Sequence, residues 1–474
     1  MSNPKLFQHA TVIGWSEERQ VLEITEDSSL LIEGDRISGT WSAGQEPPIP
    51  QEGLEIIDAM GKILTPGFID THRHNWQVIF RTMKNECTIW DYFTHVMAPE
   101  TLHTMTAEDV YNAQLLGIYE GLNTGVTTQL DHAHHPPGRD RAEAALRASI
   151  ESGARIYHAH TIGNNWIPVD TKQMIAEFKE LEERYRDALK SSLVSLSLSC
   201  DDFGLKSRED VAPIVSFLHE HEVPVLTTHS IAGPYGVDNG PKVLHNLGIL
   251  DVPFPVVISH ASFLDQASYQ LLKRYKQYTS ITIESEMSFG QTNPTAHHCL
   301  DQSSLGLDSI WCNSGDMLTQ ARILLQYVRF QSHTDVVSKW RVPANMSMTP
   351  DQAFLFATRH GGLALRRPDL GILAPGAKAD VLVWDTTNLA MTGYADPVAA
   401  VLLHANVGDI ESVLVDGVFR KRDGELLVPD LKGAKERFAR SARKVQAKAL
   451  GVDRTEVKTG DRFFSGAEID VVPR

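Results

Sequence analysis

The sequence predicts an α/β protein: a (β/α)8 barrel over residues 63–365 and a small β domain assembled from both chain ends. Three observations predict it. Eight short apolar runs alternate with helical stretches between residues 63 and 365. Both flanks, residues 1–62 and 366–430, read as short strands joined by turns. Histidines and an aspartate close several of the eight runs, which is where barrel enzymes carry their reactive groups. A doubly wound sheet gives a similar alternation, but the count of eight favours the barrel.

In the first flank, Ser29 to Ile37 holds an apolar run, the turn Glu33-Gly34-Asp35 and a second apolar start, a hairpin signal. Pro47, Pro48 and Pro50 then break the chain. The barrel strands are expected at 63–70, 126–131, 155–160, 193–200, 223–229, 256–260, 280–284 and 304–308. Helix starts fall between them. Thr106 with Asp109 and Ser207 with Asp210 have capping-box spacing, and Thr349-Pro350 places proline just inside a helix. Residues 172–189 repeat with helical period and a charged outer face. Strand character returns with the segment from Leu370 to Asp385, and Asp416-Gly417 marks a second hairpin. Residues 431–474 are expected as a basic amphipathic helix and a tail, on the surface or at an oligomer contact.

Bulk properties exclude several functions. The 474 residues carry 44 basic and 60 acidic side chains, a net charge of −16, which argues against nucleic acid or an anionic membrane as partner. Cys87, Cys200, Cys299 and Cys312 are scattered without Cys-x-x-Cys spacing, which fits a reducing cytoplasm. The first residues lack an apolar signal region, and no run approaches the roughly 18 apolar residues of a membrane helix.

Chemistry concentrates at strand ends. Residues i and i+2 of a strand share one face, so His72 and His74 project together if the extended geometry persists. The fifth run ends in His229, the sixth in His260 and the eighth in Asp308. Four histidines and an aspartate on one barrel rim point to a metal site. Three imidazoles and a carboxylate suit one divalent cation, zinc first and iron second. Such an ion lowers the pKa of bound water towards about 7, and a further histidine and carboxylate can move protons.

With Pro66-Gly67-Phe68-Ile69-Asp70-Thr71-His72-Arg73-His74, Gly125-Val126-Thr127-Thr128 followed by Asp131, the strand-end His229 and His260, and Leu305-Gly306-Leu307-Asp308, the chain resembles the amidohydrolase superfamily. Within it the likeness is to the cytosine-deaminase-like and chlorohydrolase-like branch, and it spans residues from about 5 to 425. The resemblance implies a distorted (β/α)8 barrel and a composite β-sandwich. It implies His72, His74, His229 and Asp308 as ligands of one ion. It also implies His260 as the residue polarising hydroxide or substrate, with Asp308 accepting the water proton. A homo-oligomer acting on a small molecule is the family-level expectation.

Two departures matter. Binuclear members use a carboxylated lysine ending strand four, where this chain has Cys200-Asp201-Asp202, so a single ion is expected. Deaminase-like members carry a glutamate three residues after the strand-five histidine, where this chain has Ala232. Glu284 or Glu286, read at the end of strand seven, is the expected substitute for proton transfer. His132, His134 and His135 after strand two, with His158 and His160 after strand three, suggest a polar substrate-facing wall. Trp76, Gln77 and Trp166 are further candidates for it. The leading expectation is a metal-dependent hydrolase of a C–N bond in a small heterocyclic or amide substrate. The absent glutamate leaves a lyase reaction, dehydration or decarboxylation, as the alternative, and a non-catalytic binding protein as a third.

Overall fold

Gly67 divides what the sequence presents as one strand. Lys62–Pro66 joins a mixed sheet, and Phe68–Arg73 opens the barrel. A side chain at position 67 would place its Cβ 2.2 Å from Thr127 Oγ1, so the close approach requires glycine. On either side of the divide, the Gly67 N–H donates to the Asp380 carbonyl and the Phe68 N–H to that of Gly125, both at 3.0 Å. The computed structural model describes residues 3–45, 47–48, 50, 52–83, 85–163, 170–291 and 299–452.

The chain forms two compact units. One comprises residues 1–70, 119–129 and 315–429 and holds a nine-stranded mixed sheet. Strands from both chain ends meet in it, since Lys62–Pro66 pairs in parallel with Lys5–Ser16 and antiparallel with Val381–Asp385. Phe7, Val12, Leu30, Leu64, Val381 and Leu414 form its core, the alternate residues that a pleated strand turns to one face. The expected hairpins are present, Val21–Glu33 with Arg36–Trp41 and Ile410–Val415 with Val418–Arg422.

The other unit comprises residues 71–118, 130–314 and 430–474. Its strands belong to an eight-stranded barrel with neighbours in chain order, an α/β fold of the class expected. After Phe68–Arg73 come Val126–Ala133, Arg155–Thr161, Val194–Ser199, Leu226–Ile231, Val256–Ser262, Tyr278–Ile281 and Ser303–Leu305. The first three strands are buried along their whole length, as parallel strands covered on both faces must be. Closure occurs at His72, whose carbonyl accepts the N–H groups of Leu307 (3.0 Å) and Asp308 (2.8 Å). Gly306 permits it, because a Cβ there would lie 2.8 Å from that of His72.

Strand seven differs from expectation. It stops at Ile281, and Glu284 and Glu286 fall on a short helix, Ile283–Ser288. Glu286 Oε1 accepts from the Thr282 N–H (2.9 Å) and hydroxyl (3.3 Å), a local bond that turns the backbone out of the sheet. Strand eight is also shorter, so Asp308 lies beyond its end, with a left-handed backbone at φ 59°. The basic helix Leu431–Leu450 buries Ala434, Ala442, Val445 and Ala449. Lys444 pairs with Asp109, and Gln446 donates to the Ile79 carbonyl at 2.8 Å. Among the described residues no helix is long and apolar enough to cross a membrane.

Candidate metal centre

Strand one delivers His72 and His74 to one point, as the two-residue period requires. His74 Nε2 lies 3.2 Å from Asp308 Oδ1 and 3.2 Å from His229 Nε2, and His72 Nε2 lies 3.5 Å from the same carboxylate oxygen. Tetrahedral ligands at about 2.1 Å from zinc stand about 3.4 Å apart. The three spacings therefore match the edges of one ion's coordination shell. His72, His229 and His260 also offer nitrogens within 4.8 Å of one another. A bulge brings His260 there: strand pairing steps from Ser230–His260 to Ile231–Ser262, and His260 has φ 65°.

The opposite ring nitrogens are held. His74 Nδ1 faces the His132 carbonyl at 2.8 Å, and His229 Nδ1 faces Asp201 Oδ2 at 3.0 Å. Both partners only accept, so each Nδ1 carries the proton and each Nε2 keeps its lone pair for a cation. His72 Nδ1 meets Ser259 Oγ and His260 Nδ1 meets Thr282 Oγ1, both at 2.7 Å. Ser309 Oγ lies 3.2 Å from Asp308 Oδ1 and 2.8 Å from Gln77 Oε1, and Gln77 donates to the Tyr92 hydroxyl at 2.7 Å.

Electrostatics favour a cation. Burial raises the Asp308 pKa, but the bonds to His72 and His74 outweigh it and hold the carboxyl well below its ordinary range. Asp201 behaves alike, with burial opposed by His229 and His132. Burial drives His72 and His134 well below the usual imidazole value and His132 down to about 4, so these rings are neutral, the form that binds metal.

Above the cluster opens a cavity of about 650 Å³. His74, His134, His135, Asp201, Asp202, His229, His260 and Asp308 are among its polar lining, and Ile89, Tyr92, Phe93, Met97 and Phe289 form an apolar wall. Of the residues expected to face substrate, His134 and His135 line it. Trp76, Gln77, His132, His158 and His160 do not: all five are buried, and burial lowers the His160 pKa to about 3. Trp166 lies outside the described residues.

Neither glutamate lines the cavity. Glu284 accepts from the Ser314 N–H at 2.8 Å, and fully buried Glu286 lies 3.7 Å from His260 Nδ1. Strand seven ends before either residue, so neither stands at its end as expected. Asp201 was not singled out in the sequence, although its place at the end of strand four was a usable signal. Ser259 and Thr282 carried none.

The amidohydrolase family model matches residues 63–200 and 219–421. A 5-methylthioadenosine/S-adenosylhomocysteine deaminase of Acetivibrio thermocellus is 24% identical over 400 residues, 82% of this chain and 88% of that one. Among solved structures, atrazine chlorohydrolase from Arthrobacter aurescens TC1 complexed with zinc superposes with a TM-score of 0.78 at 19% identity, covering 92% of this chain and all of that one. An adenosine deaminase from Xanthomonas campestris with bound zinc gives 0.78 at 16% identity, covering 94% and 98%. The two solved structures share the chain's fold, and the family match with the curated deaminase relative makes the class a metal-dependent hydrolase. The chain belongs to the amidohydrolase family.

Proposed function

We propose that the protein is a zinc-dependent aminohydrolase that removes an amino group from a nitrogen heterocycle of purine-nucleoside size. The carrying observation is the convergence of His72, His74, His229 and Asp308 at a cavity of about 650 Å³, within the range of small-molecule sites. The named substrates of the Acetivibrio relative support a nucleoside. Tyr92, Phe93 and Phe289 offer flat apolar surface to a planar ring.

His72, His74, His229 and Asp308 would hold the ion, which when bound supplies Lewis acidity and lowers the pKa of water towards about 7. Asp308 accepts the proton of the attacking water. His260, fixed by Thr282 through Nδ1, presents Nε2 to the oxygen that adds to the ring carbon. Glu286 is a positioning residue that holds Thr282 and, through it, His260. Water adds to the carbon, the amino group takes a proton and leaves as ammonia, and a carbonyl remains. The relatives give the lyase alternative no support. We also propose a homo-oligomer, which sedimentation velocity of the purified chain tests.

The functional test is ammonia release from adenosine, 5′-methylthioadenosine and S-adenosylhomocysteine after chelation and metal restoration. Chelation should abolish release and Zn²⁺ should restore it. Full activity in a protein shown by elemental analysis to hold no metal would overturn the reading, as would no ammonia from any of the three.

A further inference from the structure

His134 stands within ligand distance of the ion site, but its hydrogen bonding puts the ring proton on the wrong nitrogen for a ligand. Its ring stacks on His74 at 4.0 Å, and it offers a nitrogen within 4.8 Å of those of His74 and His229. Position alone would make it a further ligand. Its other contact decides against that: Trp76 Nε1 donates to His134 Nδ1 at 3.3 Å. An indole N–H is a donor only, so Nδ1 is the accepting nitrogen. A neutral imidazole that accepts at Nδ1 carries its proton on Nε2. His74 and His229 are the reverse, since the His132 carbonyl and the Asp201 carboxylate require protons on their Nδ1 atoms.

Trp76 cannot easily release this hold. It is fully buried and packs edge-on against Phe80 at 5.8 Å. The stack on His74 fixes the tilt of the His134 ring, and the indole bond fixes its rotation. The remaining polar group, Nε2–H, belongs to a residue that lines the cavity.

We propose that Trp76 locks His134 as the Nε2–H tautomer, making His134 a hydrogen-bond donor to the substrate and not a ligand of the ion. This rests on the reading of the cavity as the site of a heterocycle hydrolase. It adds a requirement: the substrate carries a hydrogen-bond acceptor, such as a ring nitrogen or a carbonyl oxygen, where it meets His134. A cationic or donor-only group at that point is rejected. Trp76 is a positioning residue that acts through His134 without touching the substrate.

The test combines three readouts on the full chain. Nitrogen NMR of ¹⁵N-histidine-labelled protein, assigned by difference with His134→Gln, should show His134 as the Nε2–H tautomer with and without zinc. Trp76→Phe, which keeps the bulk and removes the donor, should relax that preference. Elemental analysis should find wild-type zinc content in His134→Ala and loss of zinc in His74→Ala. Calorimetric titration with purine riboside, which keeps the ring nitrogens and has no amino group to lose, reads the contact itself. His134→Ala should weaken binding about three- to ten-fold, the range of one neutral hydrogen bond, while His134→Gln, which restores a donor, stays within about two-fold. An Nδ1–H signal for His134, or loss of zinc from His134→Ala with the fold intact by circular dichroism, would overturn the proposal, as would equal affinity in all three proteins. If wild-type protein binds no purine riboside, the nucleoside reading fails, while the tautomer and zinc content still decide whether His134 is donor or ligand.

Discussion

His72 and Asp308 meet twice: the His72 carbonyl accepts the Asp308 N–H at 2.8 Å, and His72 Nε2 lies 3.5 Å from the Asp308 carboxylate. The first contact closes the barrel, and the second forms one edge of the candidate ion site. Barrel closure and site assembly are thus the same event. A candidate ligand pair joined through the backbone is placed by the fold itself.

Asp308→Asn separates the two contacts. The backbone bond survives, and the proposed anionic ligand and proton acceptor is lost. Turnover should fall about 10²- to 10⁴-fold, the scale of a lost acid–base group, with the far-ultraviolet circular dichroism unchanged. Single-turnover kinetics on zinc-loaded protein gives the comparison.

Asp201→Asn tests the support behind His229. Asp201 accepts from the His229 backbone N–H at 2.7 Å and from its Nδ1 at 3.0 Å, and lies 3.3 Å from His132 Nε2. Removing a carboxylate behind a ligating histidine costs about 10- to 100-fold in metal affinity. Competition with a zinc chelator of known affinity should show that loss.

Thr282→Val removes the oxygen that faces His260 Nδ1 at 2.7 Å and keeps the shape of the side chain. About ten-fold should be lost in kcat, equivalent to roughly 1.4 kcal/mol for one hydrogen bond, with zinc content unchanged. Glu284→Gln should stay within about two-fold of wild type by the same assay, because Glu284 bonds the Ser314 backbone and lies off the cavity wall.

Asp109 gives a pH-dependent stability term. It accepts from the Thr106 N–H and hydroxyl, both at 2.9 Å, and pairs with Lys444. Burial raises its pKa, but Lys444 and the Thr106 bonds outweigh this and hold it below its ordinary value near 3.9. A depressed carboxylate stabilises the fold above the unfolded pKa and loses that contribution as pH falls through the folded value. Asp109→Asn should therefore cost about 1 kcal/mol at pH 7, the scale of a helix cap, and the difference should be smaller at a pH below the unfolded value near 3.9. Urea unfolding at both pH values measures it.

The barrel was legible because its evidence is local. Apolar runs of strand length separated by capped helices predict eight strands, and the period of two puts His72 and His74 on one face. The strand-end rule then reaches His229, His260 and Asp308. It fails at strand seven, where Glu286 caps Thr282 and diverts the chain into a helix, a local bond that the carboxylate pattern of Glu284 and Glu286 does not reveal. It misleads at Ile63 to Asp70 as well, because one apolar run serves two sheets and only the close approach of Gly67 to Thr127 separates them.

By itself the sequence determined the class of this protein: residue types and periods specify an alternating α/β barrel with imidazoles and a carboxylate at strand ends. The tertiary structure decided which nitrogen each imidazole presents. Its tautomer depends on the partner of the opposite ring atom, and those partners come from distant parts of the chain. His132 supplies a carbonyl to His74, Asp201 a carboxylate to His229, and Trp76 an indole N–H to His134. Hydrogen-bond direction is a property of contacts in space, and sequence spacing carries no record of it.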